Sequence, residues 1–223
     1  MTATDGLDFQ GEFYRTRLDS FGSAVPLENR AAIRVYGSGM TPASLRAMSR
    51  AAHGIALHPL AAFAPYLEGT ALPSIAETGA SPAIAAWCVT SVHPDAGRAM
   101  REARARLALY LSVPGLGRVA DGTPWKKDVA RLRQAAPAHH GRPDWAALGE
   151  LVPPDLAEEL AVVGSPDEAA EKLASRREGL GRRGIDELVL QPGRDGRYGR
   201  AVAGGHRGDR GGLGRRLLTH RVS

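Results

Sequence analysis

The chain has 223 residues, a formal net charge of +5, 43% hydrophobic and 5% aromatic residues, enough apolar material for one large domain or two small ones. No apolar run is long enough to span a bilayer, and the start Met1-Thr2-Ala3-Thr4-Asp5 has neither the basic cluster nor the apolar stretch of a signal peptide. Cys88 is the only cysteine, so an intrachain disulfide is excluded and the expected compartment is the cytoplasm.

The basicity is local. From Arg194 to Ser223 eight arginines face Asp195 and Asp209, a surplus of +6, which leaves the preceding body at −1. The sequence pI of 9.8 is therefore no sign of a nucleic-acid-binding surface on the folded part. The glycine- and arginine-rich tail has no apolar period and reads as a disordered segment. Tyr198 is its only aromatic, which argues against RNA binding, since stacking normally accompanies arginine contacts.

Taken in order, Gly11 to Leu18 alternates enough for a short strand or hairpin, and Gly22 to Pro26 reads as a loop. The first core strand is expected over 32–37, where Ile33, Val35 and Tyr36 are β-formers. Gly37-Ser38-Gly39 breaks it, Thr41 is a helix N-cap, and Pro42 stands at the first helical position. Leu45 and Met48 continue at helical spacing. A second strand over 54–58 follows, making a βαβ unit with parallel strands and a right-handed crossover. Glycines let a backbone approach a ligand, and free N–H groups at a helix start favour an anion. Ser38 and Thr41 add hydroxyls, so a phosphate ester is one natural guest; the other reading is a turn that is glycine-rich simply in order to turn.

His58-Pro59-Leu60 opens a loop with one or two short helices. A third strand runs over 84–91, in which Cys88 reads as a buried small hydrophobe rather than a nucleophile. Asp95 caps a long helix with a stripe of Ala99, Ala103, Leu107 and Tyr110, leaving Arg98, Arg101, Arg104 and Arg106 as a solvated set. Residues 113 to about 163 are irregular, with helical pieces near 129–132, 145–148 and 156–160. His139-His140 lacks a third ligand at useful spacing, so no metal is expected. Ser165-Pro166-Asp167-Glu168 starts a helix, and 185–191 is the fourth core strand. A closed (β/α)₈ barrel needs eight strands and about 250 residues; four make a small open sheet or half of something.

Several segments together resemble the C-terminal half of the luciferase-like flavin/F420-dependent oxidoreductases, the bacterial-luciferase superfamily. They are Gly11 to Tyr14; Ile33 to Met48; Ala52-His53-Gly54-Ile55, where the family usually has Ala-Asp-Gly; Leu109 to Ser112; Val163 to Glu168; and Gly184 to Leu190. The resemblance implies an α/β fold that is part of a TIM barrel, with about four parallel strands equivalent to strands 5–8, in a domain over 1–193 followed by the basic tail 194–223. It implies a cofactor phosphate held at Gly37, Ser38, Gly39 and Thr41, with coenzyme F420 as the cofactor and FMN as the alternative; His58-Pro59 is the reason for the order. His53 in place of the aspartate alters the rim near the cofactor. His58, just past a strand's C-terminal end, is placed to reach a small-molecule substrate, its plainer reading being an exposed loop histidine. The reaction implied is oxidoreductase or monooxygenase chemistry by hydride transfer, with no catalytic residue assigned. The family's first four strands have no counterpart, so the expected partners are a second copy of the chain or a separately encoded N-terminal half. The alternative is an inactive remnant or partner subunit of a split barrel.

Overall fold

The computed structural model describes residues 7–18, 34–136 and 143–193. The loop 22–26, the start of the expected strand 32–37, His139-His140 and the tail 194–223 lie outside the described residues. The chain divides into two compact units, Met1–Val35 and Tyr36–Ser223. The first contains a hairpin, β1 (Leu7–Gln10) antiparallel to β2 (Arg15–Leu18). Gly11 to Tyr14 form its turn, closed by the Gly11 N–H donating to the Tyr14 carbonyl at 2.9 Å.

The second unit is a parallel sheet with helices. Its strands are β3 (Tyr36–Gly37), β4 (Gly54–Leu57), β5 (Ala83–Val92), β6 (Ala161–Gly164) and β7 (Glu187–Pro192), and every pairing is parallel. Its helices are α1 (Pro42–Ala51), the short α2 (Ala64–Tyr66) and α3 (Leu72–Ala76), α4 (Ala96–Ser112), α5 (Lys126–Ala135), α6 (Trp145–Gly149), α7 (Pro154–Leu160) and α8 (Pro166–Gly181). Five strands appear where the sequence pattern gave four. The additional one, β6, is four fully buried residues following α7 without a loop, and so short a run carries no period of its own to separate it from the helix before it.

Register places the strands around β5. Ala85 and Ala86 pair with β4 and also with β7, while Val89 and Thr90 pair with β6 and also with β7. One edge of β5 therefore carries β7, and the other carries β4 at its start and β6 at its end. Asp186 fixes the entry to β7: its N–H donates to the Ile84 carbonyl at 2.9 Å, and its carboxylate accepts from the Ile84 N–H at 2.7 Å.

Side chains alternate between the two faces. Ile55, Leu57, Ile84 and Ala86 pack with Leu45 of α1 and Leu180 of α8, and Cys88, buried as expected, packs with Val162 and Ala169. The opposite face carries Tyr36, Ala56, Ala85, Trp87, Val89, Glu187, Val189 and Gln191. Across it the Tyr36 hydroxyl donates to Glu187 Oε1 at 3.2 Å. These residues stand three strand steps apart, about 14 Å in a flat sheet, farther than the two side chains reach together. The sheet is thus strongly curled, and Gly54 allows it, because a Cβ there would lie 2.4 Å from the Tyr36 ring. The sheet is open: among the described residues β3 and β7 each have a single strand neighbour.

Residues 96–160 are an excursion between β5 and the return through β6. Ala99, Ala103, Leu107 and Leu111 of α4 are fully buried with Val89, Leu132, Leu156 and Leu160, as the helical stripe predicts. The arginine set divides. Arg98 and Arg101 make surface pairs with Glu102 and Asp95. Arg104, 13% exposed, instead bonds the carbonyls of Val152 (2.7 Å) and Glu150 (2.8 Å), and Arg106 donates to the Gly193 carbonyl at 3.4 Å. These two are structural ties rather than a solvated face, since the excursion folds back over the helix side that local periodicity leaves polar.

Candidate functional site

The C-terminal ends of the parallel strands collect the chemistry-bearing side chains. At the end of β3, Gly37 and Gly39 flank Ser38, and Thr41 caps α1. The cap is a reciprocal box: Thr41 Oγ1 accepts from the Ser44 N–H at 3.2 Å, and Ser44 Oγ accepts from the Thr41 N–H at 3.0 Å. Pro42 has no N–H, and the Leu45 N–H is bonded to the Thr41 carbonyl at 2.9 Å. The Ala43 amide is thus the first-turn donor outside the cap. Ser38 is exposed.

The glycines of this turn meet their own helix. A Cβ at Gly37 would fall 2.4 Å from Met48 Sδ, and one at Gly39 would fall 2.5 Å from Ser44 Oγ. Both positions need glycine so that α1 can close against β3, and neither leaves an open cradle. The turn is clamped from the next segment, where the Tyr66 hydroxyl donates to the Met40 carbonyl; burial pushes the Tyr66 phenol up from its ordinary pKa. Tyr66→Phe is expected to cost about 1 kcal/mol of stability, read as a lower urea midpoint at unchanged slope.

At the end of β4, His58 is half-buried, not an exposed loop histidine. Its Nδ1 accepts from the Leu60 N–H at 3.2 Å and caps the 3₁₀ turn Pro59–Ala62, which leaves the ring proton on Nε2. Its ring meets Tyr110 edge-on, with centroids 4.7 Å apart at 75°. Burial lowers its pKa from 6.5 to about 4, so the imidazole is neutral at physiological pH. Gln191, near the end of β7, donates from Nε2 to Tyr110 Oη at 2.6 Å. His53, at the other end of β4, is exposed on the loop before the strand.

His58, Tyr110 and Gln191 thus form one connected group, while 37–41 form a second place at the same strand ends. Tyr110 and Gln191 were not candidates on sequence grounds. Tyr110 reads as one more apolar stripe residue, and Gln191 as a polar residue at a strand end; only the excursion of α4 over β7 joins them. Ser91, also on this face, is buried beside Gly193, where a Cβ would lie 3.1 Å from Ser91 Cβ. No group of His, Cys, Asp or Glu arranged to hold a metal ion occurs among the described residues, and none of the described helices is long and apolar enough to cross a membrane.

Comparison with known proteins agrees with this architecture. The coenzyme F420-dependent tetrahydromethanopterin reductase from Methanopyrus kandleri superposes with a TM-score of 0.57 at 19% identity, over 86% of this chain and 53% of that one. An F420-dependent secondary alcohol dehydrogenase, in complex with an F420-acetone adduct, superposes with a TM-score of 0.50 at 17% identity, over 85% of this chain and 51% of that one. The chain spans about half the length of these structures. No curated protein sequence matches it. The sequence model of the luciferase-like monooxygenase family matches residues 1–183, and on the strength of that match, over most of the chain, this protein belongs to the luciferase-like monooxygenase family.

Proposed function

We propose that the chain is the cofactor-phosphate-binding half of an oxidoreductase that moves a hydride between coenzyme F420, or alternatively FMN, and a small organic substrate. The observation that carries the proposal is the start of α1. Among the described helices of ten residues or more, it alone has no carboxylate at its cap or in its first turn. Asp95 caps α4, Asp128 lies in the first turn of α5, and Asp167 and Glu168 begin α8; each of these would repel a phosphate. The Ala43 amide, the Ser38 hydroxyl and the dipole of a ten-residue helix remain to attract one. Gly37, Ser38, Gly39 and Thr41 would hold the phosphate end, with Gly37, Gly39 and Thr41 setting the shape of the turn. The cofactor, when bound, supplies the hydride chemistry. The chain's own part is to orient it and to present the neutral His58 Nε2–H as a donor towards a substrate oxygen.

Titrating the purified chain with F420 and with FMN, followed by fluorescence, is the direct test. Saturable binding of one of them is expected, weakened at least about tenfold by Ser38→Asp, which sets a carboxylate at the exposed point of the turn. A folded chain that binds neither overturns the proposal.

A second reading is an inactive remnant or a subunit that completes its barrel with another chain. It is favoured by Trp87, 38% exposed on the inner face of the sheet, and by the single-neighbour edges of β3 and β7. Sedimentation that shows a monomer, with no binding of either cofactor, supports the remnant; a dimer that persists on dilution supports pairing with a second copy.

A further inference from the structure

Two buried side-chain polar atoms among the described residues have no hydrogen-bond partner, Ser91 Oγ and Gln191 Oε1. They lie together. Ser91 is on β5 and Gln191 on β7, in adjacent paired strands on the same face, with Val89 opposite Gln191 in register. Folded chains rarely leave such atoms unpaired, and two in one place, at the strand ends where barrel enzymes bind ligands, single the place out.

We propose that Ser91, Gln191 and Tyr110 form a substrate subsite for an uncharged group that both donates and accepts hydrogen bonds, a carboxamide being the simplest. The proposal names the substrate chemistry of the site described above, and it rests on that reading only in calling the bound molecule a substrate. The chemistry follows from what is unpaired. Gln191 Oε1, an amide oxygen, can only accept, and the other end of the amide is already used, Nε2 donating to Tyr110 at 2.6 Å, so the ligand must bring a proton. A carboxylate brings none. Ser91 Oγ can give a proton to the ligand's carbonyl. Gly193 packs its backbone against Ser91, and a Cβ there would stand 3.3 Å from Ser91 Oγ, so any side chain at 193 would crowd the hydroxyl. The adjoining ring, His58, is edge-on to Tyr110 and uncharged, while Arg106 is engaged with the Gly193 carbonyl. Gln191 as a residue is only half-buried, and rotation about its soft terminal torsion is the movement a ligand needs in order to reach Oε1.

The test is an NMR titration of the full chain, without cofactor, using acetamide and acetate as probes. Acetamide is expected to give saturable shifts at the Gln191 side-chain amide and the Ser91 and Tyr110 signals, and acetate none. Ser91→Ala and Gln191→Met should each weaken acetamide at least about threefold. Ser91→Ala should also leave the melting temperature unchanged or raise it, because it removes an unpaired buried hydroxyl. Absence of saturable acetamide shifts, tighter binding of acetate, or a melting temperature lowered by Ser91→Ala overturns the proposal. Cofactor binding is measured separately, so acetamide binding without F420 or FMN binding would sink the oxidoreductase reading and leave the subsite standing, and the reverse result would do the opposite.

Discussion

Lowering the pH from 7 to 4.5 is expected to destabilise the chain by up to about 2 kcal/mol through His58, and His58→Asn is expected to abolish most of that loss. The folded ring takes up its proton only near pH 4 because burial disfavours the cation, whereas an unfolded chain protonates it at about 6.5. Between those values the unfolded state binds more protons, so stability rises with pH. The contribution is fully present above 6.5 and is lost as the pH falls towards 4. At 1.36 kcal/mol per pH unit the gap bounds the effect at about 3 kcal/mol, and partial exposure of the ring reduces it. Protonation also puts a proton on Nδ1, where the Leu60 N–H now donates, so the cap of the 3₁₀ turn is lost with it. Asparagine can accept that N–H without titrating. Urea midpoints measured from pH 7.5 to 4.5 for both chains decide the matter. Asp95, Asp155 and Glu168, whose carboxyls are held below their ordinary values by hydrogen bonds, chiefly from the Arg98 backbone, the Trp125 side chain and the Ser165 backbone, add a loss of the same sign only at the acid end of this window, and equally in both chains. Equal slopes in the two chains would show that His58 is not the group responsible.

Leu107→Ala is expected to cost about 2–5 kcal/mol, a large part of the roughly 5–15 kcal/mol that holds a domain together. Leu107 is fully buried in the cluster that ties α4 to Val89 of the sheet and to α5 and α7, so truncation leaves a hole bounded by several elements at once. The site feels it too, because Tyr110 sits one turn further along the same helix and carries the contacts to both His58 and Gln191. Arg101→Ala, on the exposed side of the helix with only a 4.0 Å pair to Asp95, should stay within about 0.5 kcal/mol. Urea unfolding of the two variants gives the contrast; a loss below about 1 kcal/mol for Leu107→Ala would mean that α4 is not docked on the sheet in solution.

What was local in the sequence was legible from it. Thr41-Pro42 and Ser165-Pro166 start helices because each hydroxyl and its partner three residues on close a capping box within a single turn, and Asp95 likewise caps α4 with its own carboxylate. The apolar runs at 54–57, 83–92 and 187–192 form parallel strands, as short stretches rich in β-branched and apolar residues between turn signals do. The combination of segments also pointed to the luciferase-like family. The tertiary structure alone decided the rest. It made β6 a strand, because four residues acquire a ladder only from the end of β5. It showed that Gly37 and Gly39 admit the side chains of Met48 and Ser44. It turned Arg104 and Arg106 into ties, and it brought Tyr110 and Gln191, 81 residues apart in sequence, to His58. The reason is that capping and periodicity act within a turn or two of chain, whereas these contacts exist only after the long excursion between β5 and β7 folds back over the strand ends.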